Sequence, residues 1–98
     1  MPTLNTLPPS VAHNPDASRF ECTVDGHLCV AEYRLAGTLM IMHHTLVAPA
    51  LEGRGIAAAL VAAALQHARA AGWRVRPTCS YVARYMQRHA ETQDLVAP

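Results

Sequence analysis

Apolar and polar positions alternate from Arg19 to Val24, with Phe20, Cys22 and Val24 on one face and Glu21 and Thr23 on the other. That is the period of a half-buried strand. Asp25-Gly26 follows, the strongest two-residue hairpin signal in the chain, and His27 to Leu35 returns with Cys29, Ala31, Tyr33 and Leu35 on one face. Ala36-Gly37 marks a turn. Thr38 to Val47 is then apolar at almost every position until His43-His44, which predicts a central strand covered on both sides. From about Gly53 to Ala71 the period changes to that of a helix. Ile56, Leu60, Ala64 and Ala68 form one stripe, Val61 and Leu65 widen it, and Gly72 is a natural stop. His67 falls at the rim of that stripe, a place for a packed histidine rather than a ligand. Trp73 to Thr78 resumes the strand period until Pro77 ends it. Ser80 is the expected cap of a second helix carrying Tyr81, Tyr85, Met86 and His89 at helical spacing, and the tail from Ala90 is expected on the surface. The predicted order is β-β-β-α-β-α: an α+β domain with a mixed, mainly antiparallel sheet. Residues 1–18, with four prolines, are expected to form a flexible arm preceding a single domain over 19–98.

Length and composition narrow the setting. Ninety-eight residues support one core, and 51% hydrophobic with 15% charged residues describe a packed globule. A net charge of +1 offers no electrostatic case for nucleic acid. No stretch reaches the roughly 18 apolar residues of a membrane span, and no basic-then-apolar leader opens the chain. Cys22, Cys29 and Cys79 are an odd set without C-x-x-C spacing, which argues against a disulfide framework and fits a reducing, cytoplasmic location. No ligand spacing joins His43, His44, Cys79 and His89, so no metal is expected.

The candidate chemistry begins where the apolar strand meets the alanine-rich helix, at Leu51-Glu52-Gly53-Arg54-Gly55-Ile56-Ala57. A strand, a glycine loop and a helix start form an anion site, because first-turn amides lack intrahelical acceptors and the aligned peptide dipoles favour negative charge there. Glycine also lets a phosphate approach the backbone closely. The same glycines equally suit a plain turn. No Lys-Ser or Lys-Thr follows them, so this is not a Walker loop, and the third glycine of the dinucleotide fingerprint is absent. In a mixed sheet, ligands bind beyond the carboxyl ends of the strands where direction changes, and there Val47, the glycine loop and Cys79 should converge.

His44-Thr45, Val47-x-Pro49, Leu51 to Ala57, Pro77-Thr78-Cys79-Ser80-Tyr81-Val82 and Arg88-His89 together resemble the minimal single-domain N-acetyltransferases, the short branch of the GNAT superfamily. The resemblance spans roughly Asp16 to Val96. It implies a reduced GNAT-like fold lacking the two helices that follow the first strand in larger relatives, and the Asp25-Gly26 hairpin leaves no room for them. It also implies acetyl-coenzyme A as co-substrate. The family's pyrophosphate loop, Gln/Arg-x-x-Gly-x-Gly/Ala, aligns as Glu52-Gly53-Arg54-Gly55-Ile56-Ala57. Glu52 replaces the usual Gln or Arg and sets an anion near the phosphates, while Arg54 supplies a compensating cation. By the same resemblance the pantetheine arm lies between the splayed strands, so the coenzyme would touch Leu46, Val47, the loop, Cys79 and Ser80. An amide near Val47 would polarise the thioester carbonyl.

Acetyl transfer to an amine requires a base, an oxyanion donor and protonation of the departing thiolate. His44, near the carboxyl end of the central strand, is the leading base, since its ordinary pKa lies near working pH. Strand alternation directs His43 to the opposite face. The family often has an acidic residue where Leu46 stands. Cys79, between a strand end and a helix start, is a nucleophile, an acid or a buried structural thiol. Tyr81 is a second candidate acid, or a core residue. Cys22 and Cys29 are read as structural. The leading function is acetyl-coenzyme A-dependent N-acetylation of a primary amine, on a protein lysine or a small molecule. The alternative is a non-catalytic coenzyme A-binding sensor or interaction module. A monomer or weak dimer is expected, because a short sheet leaves an edge free to pair.

Overall fold

The computed structural model describes residues 10–98; residues 1–9 of the expected arm lie outside the described residues. Five strands run in sequence order across one sheet: β1 (Ala12–Asn14), β2 (Arg19–Val24), β3 (His27–Ala36), β4 (Leu39–Leu46) and β5 (Arg74–Pro77). Neighbours are antiparallel except β4 and β5, which are parallel because the chain crosses between them through α1 (Ile56–Ala71). The second helix, α2 (Ser80–Arg88), follows β5. The β2–β3 hairpin closes at Asp25 and Gly26, with φ of 51° and 79°. A two-residue I′ turn needs positive φ at both positions.

The segment expected as an arm is built into the sheet from Ala12 onward. Ala12, His13 and Asn14 pair with Glu21, Phe20 and Arg19. Proline content concealed this, because Pro15 opens a one-turn 3-10 helix that the Asn14 side chain closes by accepting from the Ala17 amide at 3.2 Å. His13 then stacks on Phe20, ring centroids 4.2 Å apart, and shares a 2.6 Å hydrogen bond with the Tyr33 hydroxyl. His67 of α1 lies 4.4 Å from the His13 ring and 5.0 Å from Trp73, so it packs in this aromatic cluster.

Both helices cover one face of the sheet. Ile56, Leu60, Val61, Ala64, Leu65 and Ala68 of α1 are buried against Phe20, Cys29, Ala31, Tyr33, Met40 and Val75. Alanine at the contact lets the helix lie close to the strands, and truncating the fully buried Leu60 to alanine costs about 2–5 kcal/mol. The strand expected to be covered on both sides is central, yet only Met40 and Met42 are buried. Leu39 and Ile41 sit half-buried on the face without helices, sheltered by neighbouring side chains. In α2, Met86 of the expected stripe is buried together with Val82, and Tyr85 is half-buried against the core, but Tyr81 is 39% exposed. The tail is partly internal. Ala90–Leu95 forms a 3-10 segment with Thr92 and Leu95 buried, after which Val96 bridges Val75 and the Ala97 amide donates to the Val75 carbonyl at 2.8 Å. That contact protects the outer edge of β5. Among the described residues no helix is long and apolar enough to cross a membrane.

Candidate active site

The site is a fork between β4 and β5. Their parallel pairing ends at Met42 and Pro77. There the Met42 carbonyl accepts from the Thr78 amide at 3.0 Å, the Cys79 amide at 2.9 Å and the Thr78 hydroxyl at 3.2 Å. Beyond this pin β4 continues through Leu46 paired with β3 alone, while the other chain turns at Cys79 into α2. The β4 edge that faced β5 is therefore left without a strand partner. Cys79, with φ −74° and ψ 129°, holds the helix N-cap position expected for Ser80, which instead opens the helix. No side chain bonds the cap, so the thiol is not spent on capping.

A register slip falls at the same level. Tyr33 pairs with Met42 but Glu32 pairs with His44, leaving His43 as an extra residue. A bulge sets two residues against one and bends the strand, so strict alternation fails: His44, which alternation would put on the buried face with Met40 and Met42, is turned to the other face. Both histidines are exposed. Thr45, paired with the buried Ala31, is on the helix side, and its hydroxyl lies 3.6 Å from Cys79 Sγ. His44, paired with Glu32, is on the opposite face.

The glycine loop departs from the expected helix start. A 3-10 turn over Pro49–Leu51 leads into Gly53 and Gly55, at φ of 84° and 78°, and α1 begins only at Ile56 with Gly55 as N-cap. The first helical bond runs from the Ala59 amide to the Gly55 carbonyl at 3.0 Å. Among the described residues, the amides of 53–58 donate to no backbone carbonyl and no side chain. This run of free donors is longer than the first turn of a helix alone supplies, because the left-handed glycines stop the preceding turn from reaching back.

Those amides border a cleft of ≈ 440 Å³ lined by Thr45, Leu46, Val47, Leu51, Glu52, Gly53, Gly55, Ile56, Ala57, Ala58 and Tyr81. Of the residues singled out in the sequence, Leu46, Val47, Glu52, Gly53, Gly55, Ile56, Ala57 and Tyr81 meet there. Four do not line it. Arg54 turns away and pairs with Asp25 at 2.9 Å, so it does not offset Glu52. Cys79 sits half-buried behind Thr45, Ser80 is exposed beside it, and His44 lies across the sheet. The sequence motifs include Thr45 and Leu51 but gave them no place in the site, and Ala58 was not singled out at all. Thr45 becomes visible only through the bulge, which sequence does not announce. Sequence reasoning also missed a second hollow adjoining the first at Ala58 and Tyr81, lined by Arg84, Tyr85, Arg88 and His89. Arg84 and Arg88 are one helical turn apart and neither makes an ion pair among the described residues. Burial, with Glu91 and Tyr81 nearby, pushes the Tyr85 phenol up, so it remains a hydrogen-bond donor.

The site thus has free donors suited to an anion at one end, an unpaired strand edge in the middle, and ionisable side chains at the fork. Among the described residues no cluster of three or more His, Cys, Asp or Glu is placed to hold a metal. Comparison with known proteins agrees with this reading of the architecture. The solution structure of a GCN5-like protein from Staphylococcus aureus superposes with a TM-score of 0.72, at 22% identity over 90% of this chain and 87% of that one. The family model for GCN5-related N-acetyltransferases matches residues 19–95, nearly the whole domain. The chain is thus an enzyme of the GCN5-related N-acetyltransferase family.

Proposed function

We propose that the protein transfers the acetyl group of acetyl-coenzyme A to a primary amine, with the coenzyme in the cleft and the amine arriving from the helix-free face. The observation that carries this reading is the run of free amides at 53–58, opening onto the cleft beside the unpaired edge of β4. The bound coenzyme supplies an activated thioester. The protein's part is to hold and polarise it. Amides 53–58 grip the diphosphate, and Arg84 and Arg88 attract the remaining phosphate in the adjoining hollow. The free backbone of Thr45 to Val47 aligns the pantetheine arm, and the amide near Val47 donates to the carbonyl oxygen.

His44 takes the proton that the ammonium must lose before it can attack. Tyr81, on the cleft wall, gives a proton to the departing thiolate. Cys79 has a second reading, favoured by its place at the fork against the Thr45 hydroxyl: its sulfur takes the acetyl group first and passes it on. The two routes separate experimentally. His44→Ala is expected to lower kcat about 10²–10⁴-fold with coenzyme affinity unchanged. Cys79→Ala is expected to retain turnover under direct transfer and lose it under the covalent route, for which acid-quenched enzyme would carry acetyl on the Cys79 peptide by mass spectrometry. Thiol release from acetyl-coenzyme A across an amine panel tests the whole reading. Coenzyme binding without release under any amine would favour a sensor or interaction module.

A further inference from the structure

We propose that Glu32 is the residue that recognises the acceptor, selecting an alkylammonium group carried on a short methylene chain; this rests on the fork being the site of acetyl transfer. Glu32 lies on the helix-free face at the level of the fork, opposite His43 and His44 across the bulge. Directly opposed side chains sit about 5 Å apart at Cβ, within reach of one bound ammonium. On its other flank Glu32 is paired in register with Arg19, but that guanidinium is engaged elsewhere, its Nε donating to Glu21 Oε1 at 2.6 Å. Glu21, Asp25 and Asp94 carry ion pairs with arginine, whereas Asp16, Glu32 and Glu52 carry none among the described residues, and of these three only Glu32 is half-buried. A half-buried carboxylate without a counter-ion favours a cationic visitor.

The surface beside it suits the rest of such a ligand. Val30 pairs with Leu46, two residues along from the Glu32–His44 pair, and Leu46 is 51% exposed; Leu28, two further along β3, is 46% exposed. Two residues of strand span about 7 Å, comparable to a four-methylene chain. An ammonium at Glu32 would therefore lay its chain over the exposed Leu46, with Val30 buried beneath it, and keep its nitrogen beside His44. Both a lysine side chain and a linear aliphatic diamine have this chemistry.

The test is steady-state kinetics of Glu32→Gln and Glu32→Asp with pentane-1,5-diamine, a lysine-containing peptide, and butanohydrazide, which is uncharged at neutral pH. Expected for Glu32→Gln is at least a tenfold rise in KM for the cationic acceptors, with kcat, butanohydrazide KM and coenzyme A affinity little changed. Glu32→Asp should recover most of the loss, and whichever cationic acceptor has the lower KM in the unaltered protein identifies the source. In parallel, the imidazole C–H signals of His43 and His44 should shift saturably with pentane-1,5-diamine in the unaltered protein and not in Glu32→Gln. Equal KM values in all three proteins, or no imidazole shift in the unaltered protein, would overturn the assignment. Saturable shifts without acetylation of any amine would instead remove the transfer reading and leave the ammonium site standing.

Discussion

Gly55 occupies φ 78°, where a side chain is strained because Cβ approaches the following carbonyl. A methyl group added there would meet nothing within 4 Å, so the penalty for Gly55→Ala is purely that of the backbone. It should cost about 1–2 kcal/mol, read as a lower urea midpoint at unchanged m-value. The same substitution should weaken coenzyme A binding, because relaxing φ re-aims the amides on either side of it. A stability loss with no loss of affinity would separate the loop's conformation from ligand binding. The Met42 carbonyl is the other single group on which the site depends. Its bonds from Thr78 and Cys79 fix where the strands part, and hence where Cys79 comes against Thr45.

Among the elements, the loop and α2 would divide the work of holding the coenzyme's phosphates in the proposed complex. Glu52 lines the cleft with no basic partner among the described residues, since Arg54 is drawn off to Asp25. Glu52→Gln should therefore tighten coenzyme A binding severalfold in calorimetry, most strongly at low salt. Arg84→Ala and Arg88→Ala should weaken it, with a smaller effect on coenzyme lacking its 3′-phosphate. How much of this was legible beforehand followed from which forces act locally. The β2–β3 hairpin and α1 were readable because alternation, helical spacing and Asp25-Gly26 are short-range signals. The glycine loop was readable for the same reason. β1 was hidden by Pro15, since its pairing depends on Phe20 and Tyr33, distant in the chain. On α2 the expected stripe holds at Met86 and in part at Tyr85, but Tyr81, apolar enough to suit a core, faces the cleft instead. The bulge at His43 escaped notice because a one-residue slip leaves no mark in the hydrophobic pattern.

On the scale of the molecule, an aromatic cluster of His13, Phe20, Tyr33, His67 and Trp73 ties β1 and α1 to the sheet. Burial, reinforced by His67, lowers the His13 pKa below the ordinary imidazole value of about 6.5. Between that value and the lower folded one, the unfolded chain binds a proton that the folded chain does not. Stability from this site is therefore complete above about pH 6.5 and is lost as pH falls through the folded pKa. His13→Phe, which keeps a ring against Phe20, should flatten the fall of Tm across that window. An unchanged pH dependence would move the titrating group elsewhere. In the proposed reaction, by contrast, the two substrates would approach through the fork from opposite faces of one sheet. The most direct measurement is a titration of uniformly ¹⁵N-labelled protein with coenzyme A, followed at each backbone amide. The largest saturable downfield shifts are expected at residues 53–58, with smaller ones from Thr45 to Val47; saturation without movement of the 53–58 amides, or no saturation at all, would contradict the placement of the coenzyme on this loop.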